Sequence, residues 1–278
     1  MSLLGIQELL LMEVPVRPAT VQEPPRTRVR LPPSPISSVV AAHDARSEVD
    51  RLAEYDGWLH ASALVGLCAR QYAIARAFGG VPQKCPSSSM RIVWAMGRAL
   101  EAHVVAAIRE RFDDRDCFFE ATFRDEEHLV VGHPDATVWL DGWLAVEVKS
   151  MNARDFQALE APLFDHVLQA LAYRHLLLVE NGGDEQFVRP EVVVLYVAKD
   201  FVRGSPYKEF VVDATTDYHG RALEAALDEA AVLVDAVARR RVPERTACRR
   251  ATCEKARGCP VAVTCFNLAE EGCAWPSR

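Results

Sequence analysis

Several common features are missing from this 278-residue sequence. No apolar run approaches the ~18 residues that a membrane-spanning helix needs, which excludes an integral helical membrane protein. The apolar residues of "MSLLGIQELLLMEV" are interrupted by Glu8, and no basic segment precedes them, so a secretory leader is not expected and a cytoplasmic location is. Excess positive charge is also lacking. There are 32 Lys and Arg against 39 Asp and Glu, a formal charge of −7. That balance argues against a general nucleic-acid coating protein, whose affinity comes from neutralising phosphates. It leaves room for one local basic groove. No internal repeat is visible. There are eight cysteines but no C-x-x-C pair, which makes a zinc ribbon a poor match.

Half the residues are apolar, enough for a sizeable core. Residues 13–38, "EVPVRPATVQEPPRTRVRLPPSPISS", are too rich in Pro, Arg and Ser to fold alone. Residues 1–43 therefore read as a flexible arm, with 44–278 as the folded body. "SEVDRLAEYDGW" and "HASALVGLCARQYAIARAFGG" have helical spacing. "MRIVWAMGRALEAHVVAAIRERF" is a strong helix with apolar residues at 93, 96, 100, 104 and 108. Short β-like runs follow: "CFFEATFR", "HLVVGHPDATVWL" and "GWLAVEVKS", the last two joined by the turn dipeptide Asp141-Gly142. "ARDFQALEAPLFDHVLQALAYRHLLLVE" reads as helix. "EVVVLYVAK" reads as a buried strand and "YKEFVVD" as an edge strand. "YHGRALEAALDEAAVLVDAVARRR" is a long helix ended by Pro243. The order predicts a mixed α+β or α/β fold, with a central mixed sheet flanked by helices.

The run "VGHPDATVWLDGWLAVEVKS" poses a problem. Asp135 is placed within one strand. Glu147 and Lys149, two apart, share a face of the next. A hairpin brings all three together, and buried charges are costly unless paired or bound to a cation. Two carboxylates with a few waters suit a hard divalent ion such as Mg²⁺ or Mn²⁺. Such an ion can polarise a phosphoryl oxygen and acidify an attacking water. A lysine beside it can orient that water or offset developing negative charge. For E-x-K alone the simpler reading is a solvated Glu/Lys pair; "GHPD" twelve residues upstream across a turn makes the pattern more specific.

"HPD…EVK" resembles the signature of the PD-(D/E)XK nucleases. The resemblance implies a restriction-endonuclease-like core, with Asp135 and Glu147 holding metal and Lys149 assisting the water. "QALAY" places Gln169 and Tyr173 at i and i+4, where RecB-type nucleases of this superfamily carry a Q-x-x-x-Y motif thought to contact DNA. Those nucleases also have G-x-x-x-H before the sheet, the His being a metal ligand. Here Gly97 plus four is Glu101, and His103 lies two further on. Two residues apart on a helix they point about 200° apart. Glu101 fits the spacing and His103 the residue type; Glu101 is favoured.

Five of the cysteines (248, 253, 259, 265 and 273) fall in the last 31 residues. Clustered cysteines in a cytosolic chain point to a metal or cluster. The arrangement resembles a subset of RecB-type nucleases: the CRISPR-associated exonucleases of the Cas-four type, their phage-encoded relatives and the AddB subunit. These hold a 4Fe–4S iron–sulfur cluster with one Cys before the core and three after it. The resemblance implies Cys68, Cys259, Cys265 and one of Cys253 and Cys248, with Cys253 favoured. Cys85, Cys117 and Cys273 are taken as non-ligands. Free buried thiols, or zinc in place of iron–sulfur, are the alternatives.

The resemblance, over about residues 60–268, implies a metal-dependent DNA exonuclease or endonuclease, acting on single-stranded or end-containing DNA. The alternatives are a non-catalytic DNA-end-binding factor on the same fold, partnering a helicase or CRISPR integrase, and a zinc-stabilised enzyme with a coincidental E-x-K. Polarity, strand preference and oligomeric state are not read from the sequence.

Overall fold

A computed structural model describes residues 58–77 and 88–275. The arm at 1–43, its boundary with the body, the helix expected before Trp58 and the segment with Cys85 lie outside the described residues.

The central sheet has the order β2-β5-β6-β7-β8. Its strands are β2 (Cys117–Phe118), β5 (Ala136–Trp139), β6 (Trp143–Met151), β7 (Glu191–Ala198) and β8 (Tyr207–Asp213). β6 and β7 run parallel and the other neighbours are antiparallel, so the sheet is mixed. The β5–β6 hairpin closes at Asp141 and Gly142, both at positive φ, which the Asp-Gly dipeptide tolerates. β8 is the expected edge strand. A smaller sheet has the order β1-β4-β3, from β1 (Leu59–His60), β3 (Phe123–Asp125) and β4 (Val130–Gly132).

Helices cover both faces. α1 is Ala69–Ala77, α2 is Ser88–Arg111, α3 is Ala153–Ala158, α4 is Phe164–Glu180 and α5 is Asp217–Ala238. The two faces of β6 explain the layers. Val146 and Val148 point to the α2 side, where Leu100, Val104 and Ile108 continue the helix's apolar stripe. Ala145 points to the α4 side, among Leu168, Leu171 and Tyr173. At the start of α2 the same stripe, Val93 and Met96, is exposed. In the tail, α6 (Glu254–Gly258) and α7 (Ala262–Asn267) precede β10 (Cys273–Ala274), which pairs with β9 (Arg241–Val242).

The structure corrects three local expectations. "HLVVGHPDATVWL" is two strands in two different sheets. The chain breaks at 133–135, where Pro134 has no N–H to give a ladder. Asp135 therefore sits in a bend just before β5, not within a strand. "CFFEATFR" is likewise split, with Glu120 at positive φ in the gap. The helix expected from 153 to 180 is two, α3 and α4, separated at 159–163 around Pro162.

Candidate active site

Extending the β5–β6 register by one step places Asp135 directly across from Glu147. β5 has ended there, so residues 147–151 of β6 lack a β5 partner and border a notch in the ladder on that side. The Asp135 carboxylate takes the place of the missing strand, its Oδ2 accepting from the Val148 N–H at 2.6 Å. α2 closes the notch. It approaches β6 so closely at Gly97 that a Cβ there would lie 3.1 Å from Ser150 Oγ. One turn later on α2, Glu101 lies close enough to Asp135 and Glu147 for their charges to act on one another. His103 is exposed on another side of the helix. Asp135, Glu147 and Glu101 thus come together, and His103 does not join them.

Three carboxylates in one place cannot all remain charged without compensation. Burial, with the neighbouring Glu147 and Glu101 charges, pushes the Asp135 carboxyl up to about 9. Burial likewise raises Glu147 and Glu101, while Lys149 pulls each back down. Glu147 is 2% exposed, and its Oε2 receives no hydrogen bond from a fixed donor. An orphaned anionic oxygen is uncommon in a folded interior. With neighbouring carboxylates around it, it suits a cation.

Lys149 ion-pairs with Glu147 Oε1. Its ammonium also donates to Gln169 Oε1 at 3.0 Å. The Gln169 amide donates onward to the Tyr173 hydroxyl at 2.7 Å, which fixes the amide so that its carbonyl faces the lysine. Gln169 and Tyr173 are 8% and 5% exposed on α4. The Q-x-x-x-Y pair therefore holds the ammonium in place. Burial raises the Tyr173 hydroxyl far above its usual range, so it stays neutral.

One nearby group was missed in the sequence. His166, on the first turn of α4, meets the Tyr196 hydroxyl through Nδ1 at 2.9 Å. Burial and the Lys149 charge push its imidazole down to about 4, so it is neutral. Its position three residues before Gln169, on the same helical face, was the available signal.

The cysteine region joins the chain's ends. Cys68 (just before α1), Cys248, Cys259 and Cys265 border a common cavity. Cys253 caps α6 by accepting from the Ala256 N–H and lies beside Cys248 without lining that cavity. Burial raises the thiols of Cys68 and Cys248, the latter to about 11, while backbone N–H groups lower Cys253. Arg70, 2% exposed, ties α1 to the tail. It donates to Cys265 Sγ, to the carbonyls of Cys265, Ala269 and Glu270, and to that of Pro243. No three thiols lie within 4.8 Å of one another among the described residues. That spacing is wider than one tetrahedral ion with Zn–S bonds of about 2.3 Å would impose. Cys117 is buried on β2, and Cys273 is on β10, outside the cavity lining. No helix among the described residues is long and apolar enough to cross a membrane.

No known sequence family matches the chain, and no curated protein matches it. Solved structures do. An alkaline exonuclease from Laribacter hongkongensis aligns at 16% identity over 66% of this chain and 92% of its own, with a TM-score of 0.42. The same exonuclease in complex with dAMP aligns at 18% identity over 66% and 89%, with a TM-score of 0.44. SSO0001 aligns at 13% identity over 84% and 98%, with a TM-score of 0.43. At such distance they assign no role to any residue of this chain.

Proposed function

We propose that this chain is a metal-dependent DNA nuclease, acting as an exonuclease on single-stranded or end-containing DNA, with a structural iron–sulfur cluster. One observation carries the reading: three carboxylates converge beside β6 where β5 has ended, one with an orphaned buried oxygen, beside an ammonium held at 3.0 Å by a fixed glutamine. Asp135, Glu147 and Glu101 would hold Mg²⁺ or Mn²⁺, as hard oxygen donors suit either ion. When bound, the ion supplies Lewis-acid polarisation of a phosphoryl oxygen and acidifies water. Lys149 orients the attacking water for in-line displacement and offsets charge on the phosphate. Gln169 and Tyr173, which the resemblance implies as DNA contacts, are buried and keep Lys149 aimed instead. By the family pattern, the product carries a 5′-phosphate.

The cavity between α1 and the tail has the donor chemistry for a 4Fe–4S cluster, in which each thiolate serves a different iron and the sulfurs stand apart. Cys68, Cys259 and Cys265 would supply three ligands, and the adjacent pair Cys248 and Cys253 the fourth. A helicase or a CRISPR integrase as partner belongs to the same resemblance.

The test uses end-labelled single- and double-stranded oligonucleotides with Mn²⁺ or Mg²⁺. Shortening from one end by the wild-type chain is expected. Tight binding without cleavage under any divalent ion would instead indicate a DNA-end-binding factor.

A further inference from the structure

A second group of metal-type donors lies at the β3–β4 turn, apart from the carboxylate notch. Asp125 ends β3 and is 3% exposed. Its two oxygens have different tasks. Oδ1 accepts from the N–H groups of Glu127 and His128, at 2.9 and 3.2 Å, and shapes the turn. Oδ2 faces two imidazoles, His128 Nδ1 at 2.7 Å and His175 Nε2 at 2.8 Å. The three ligand atoms all lie within 4.8 Å of one another. His175 comes from α4, 50 residues away, so this convergence is made by the fold.

The plain alternative is a His–Asp–His hydrogen-bonded cluster. Three observations point further. Both ring nitrogens stand beside the one oxygen that the turn leaves free, at 2.7 and 2.8 Å, and a spread to the roughly 3.3 Å that tetrahedral bonds of about 2.0–2.1 Å need is small. The rings meet edge to face, 75° apart, splayed around a common point instead of stacking. The group borders a recess also lined by Arg124, Glu126, Glu127 and Glu180, so water has access to a fourth position.

We propose that Asp125 Oδ2, His128 Nδ1 and His175 Nε2 form a binding site for a zinc-class transition-metal ion. Two imidazoles and one carboxylate with an open fourth position suit Zn²⁺ and disfavour Mg²⁺, which prefers all-oxygen octahedral surroundings. The ion takes the place of the two close contacts that the imidazoles now make to Oδ2. It fastens the β3–β4 turn to α4, the helix that carries Gln169 and Tyr173. β4 and α4 already touch closely there. A Cβ at Gly132 would lie 2.5 Å from a Leu176 methyl carbon and 2.8 Å from the Tyr173 ring. The site is independent of the nuclease reading and would stand if that reading failed.

The test uses the wild-type chain. Diethylpyrocarbonate modification of each histidine is followed by peptide mass spectrometry, with and without Zn²⁺. At zinc a hundredfold above its dissociation constant, His128 and His175 should react on the order of 100-fold more slowly, as one-site occupancy requires. Exposed His103 should be unaffected. Co²⁺ provides a second readout. The site should give bands of imidazole ligation, and these should vanish in H128A/H175A while any all-oxygen bands from the carboxylate notch and any thiolate-to-cobalt absorption from the tail remain. Equal modification rates with and without zinc, or a cobalt spectrum unchanged in the double variant, would overturn the assignment.

Discussion

Lys149 on β6 and Gln169 on α4, twenty residues apart, meet at 3.0 Å, with the glutamine amide pinned in turn by Tyr173. The lysine's aim is thus set by the helix behind the sheet. Lys149→Ala should lower single-turnover DNA cleavage by on the order of 10²–10⁴-fold, the usual worth of a positioned proton-handling group. Gln169→Ala should cost less, since the ammonium remains and only its orientation loosens. Equal losses, with folding intact by circular dichroism, would show that Gln169 does more than aim the lysine.

The raised Asp135 carboxyl gives a pH signature. A group whose folded-state value is raised stabilises the fold fully below its unfolded value, and that contribution fades as pH rises through the folded one. Without divalent ions, the wild-type chain should therefore lose thermal stability between about pH 4 and pH 9. Asp135→Asn should remove much of that slope. Mn²⁺ should raise the melting temperature most at the alkaline end, because the ion replaces the proton. A slope identical in wild type and variant would place the titration elsewhere.

Arg70 is the latch between α1 and the tail. Arg70→Leu strands several buried carbonyl oxygens and should cost on the order of 3 kcal/mol. Chemical denaturation measures it. If the cysteine cavity holds an iron–sulfur cluster, the variant should also bleach faster in air.

Anaerobically purified protein should be brown and contain about four irons per chain. Cys68→Ala, Cys259→Ala and Cys265→Ala should each lose the iron. Because Cys248 lines the cavity and Cys253 caps α6, Cys248→Ala should lose it as well. Iron retained in Cys248→Ala but lost in Cys253→Ala would reverse the roles of that pair.

Much of this architecture was legible in local patterns. The alternation in "GWLAVEVKS" gave a strand with Glu147 and Lys149 on one face, and Asp-Gly gave its hairpin. Gln169 and Tyr173, one helical turn apart, were readable as a pair on one face. The sequence-level preference for Glu101 over His103 rested on spacing from Gly97, and the packing at Gly97 is what puts Glu101 at the notch. What was misread depended on breaks and on distance. Pro134 and Pro162 interrupt runs whose apolar pattern continues past them, so strand and helix were drawn too long. Asp125, His128 and His175 carry no shared local signal, because His175 arrives from another element. The choice between Cys248 and Cys253 hinges on which thiol turns into the cavity and which caps a helix, a matter of a few backbone angles.

In the proposed nuclease, Asp135, Glu147 and Glu101 grip a divalent ion beside Lys149, and calorimetric titration with Mn²⁺ reads that grip. Wild type and Lys149→Ala should both bind, and Asp135→Asn should lose one site. Asp135→Asn binding Mn²⁺ with the same stoichiometry and affinity as wild type would contradict it.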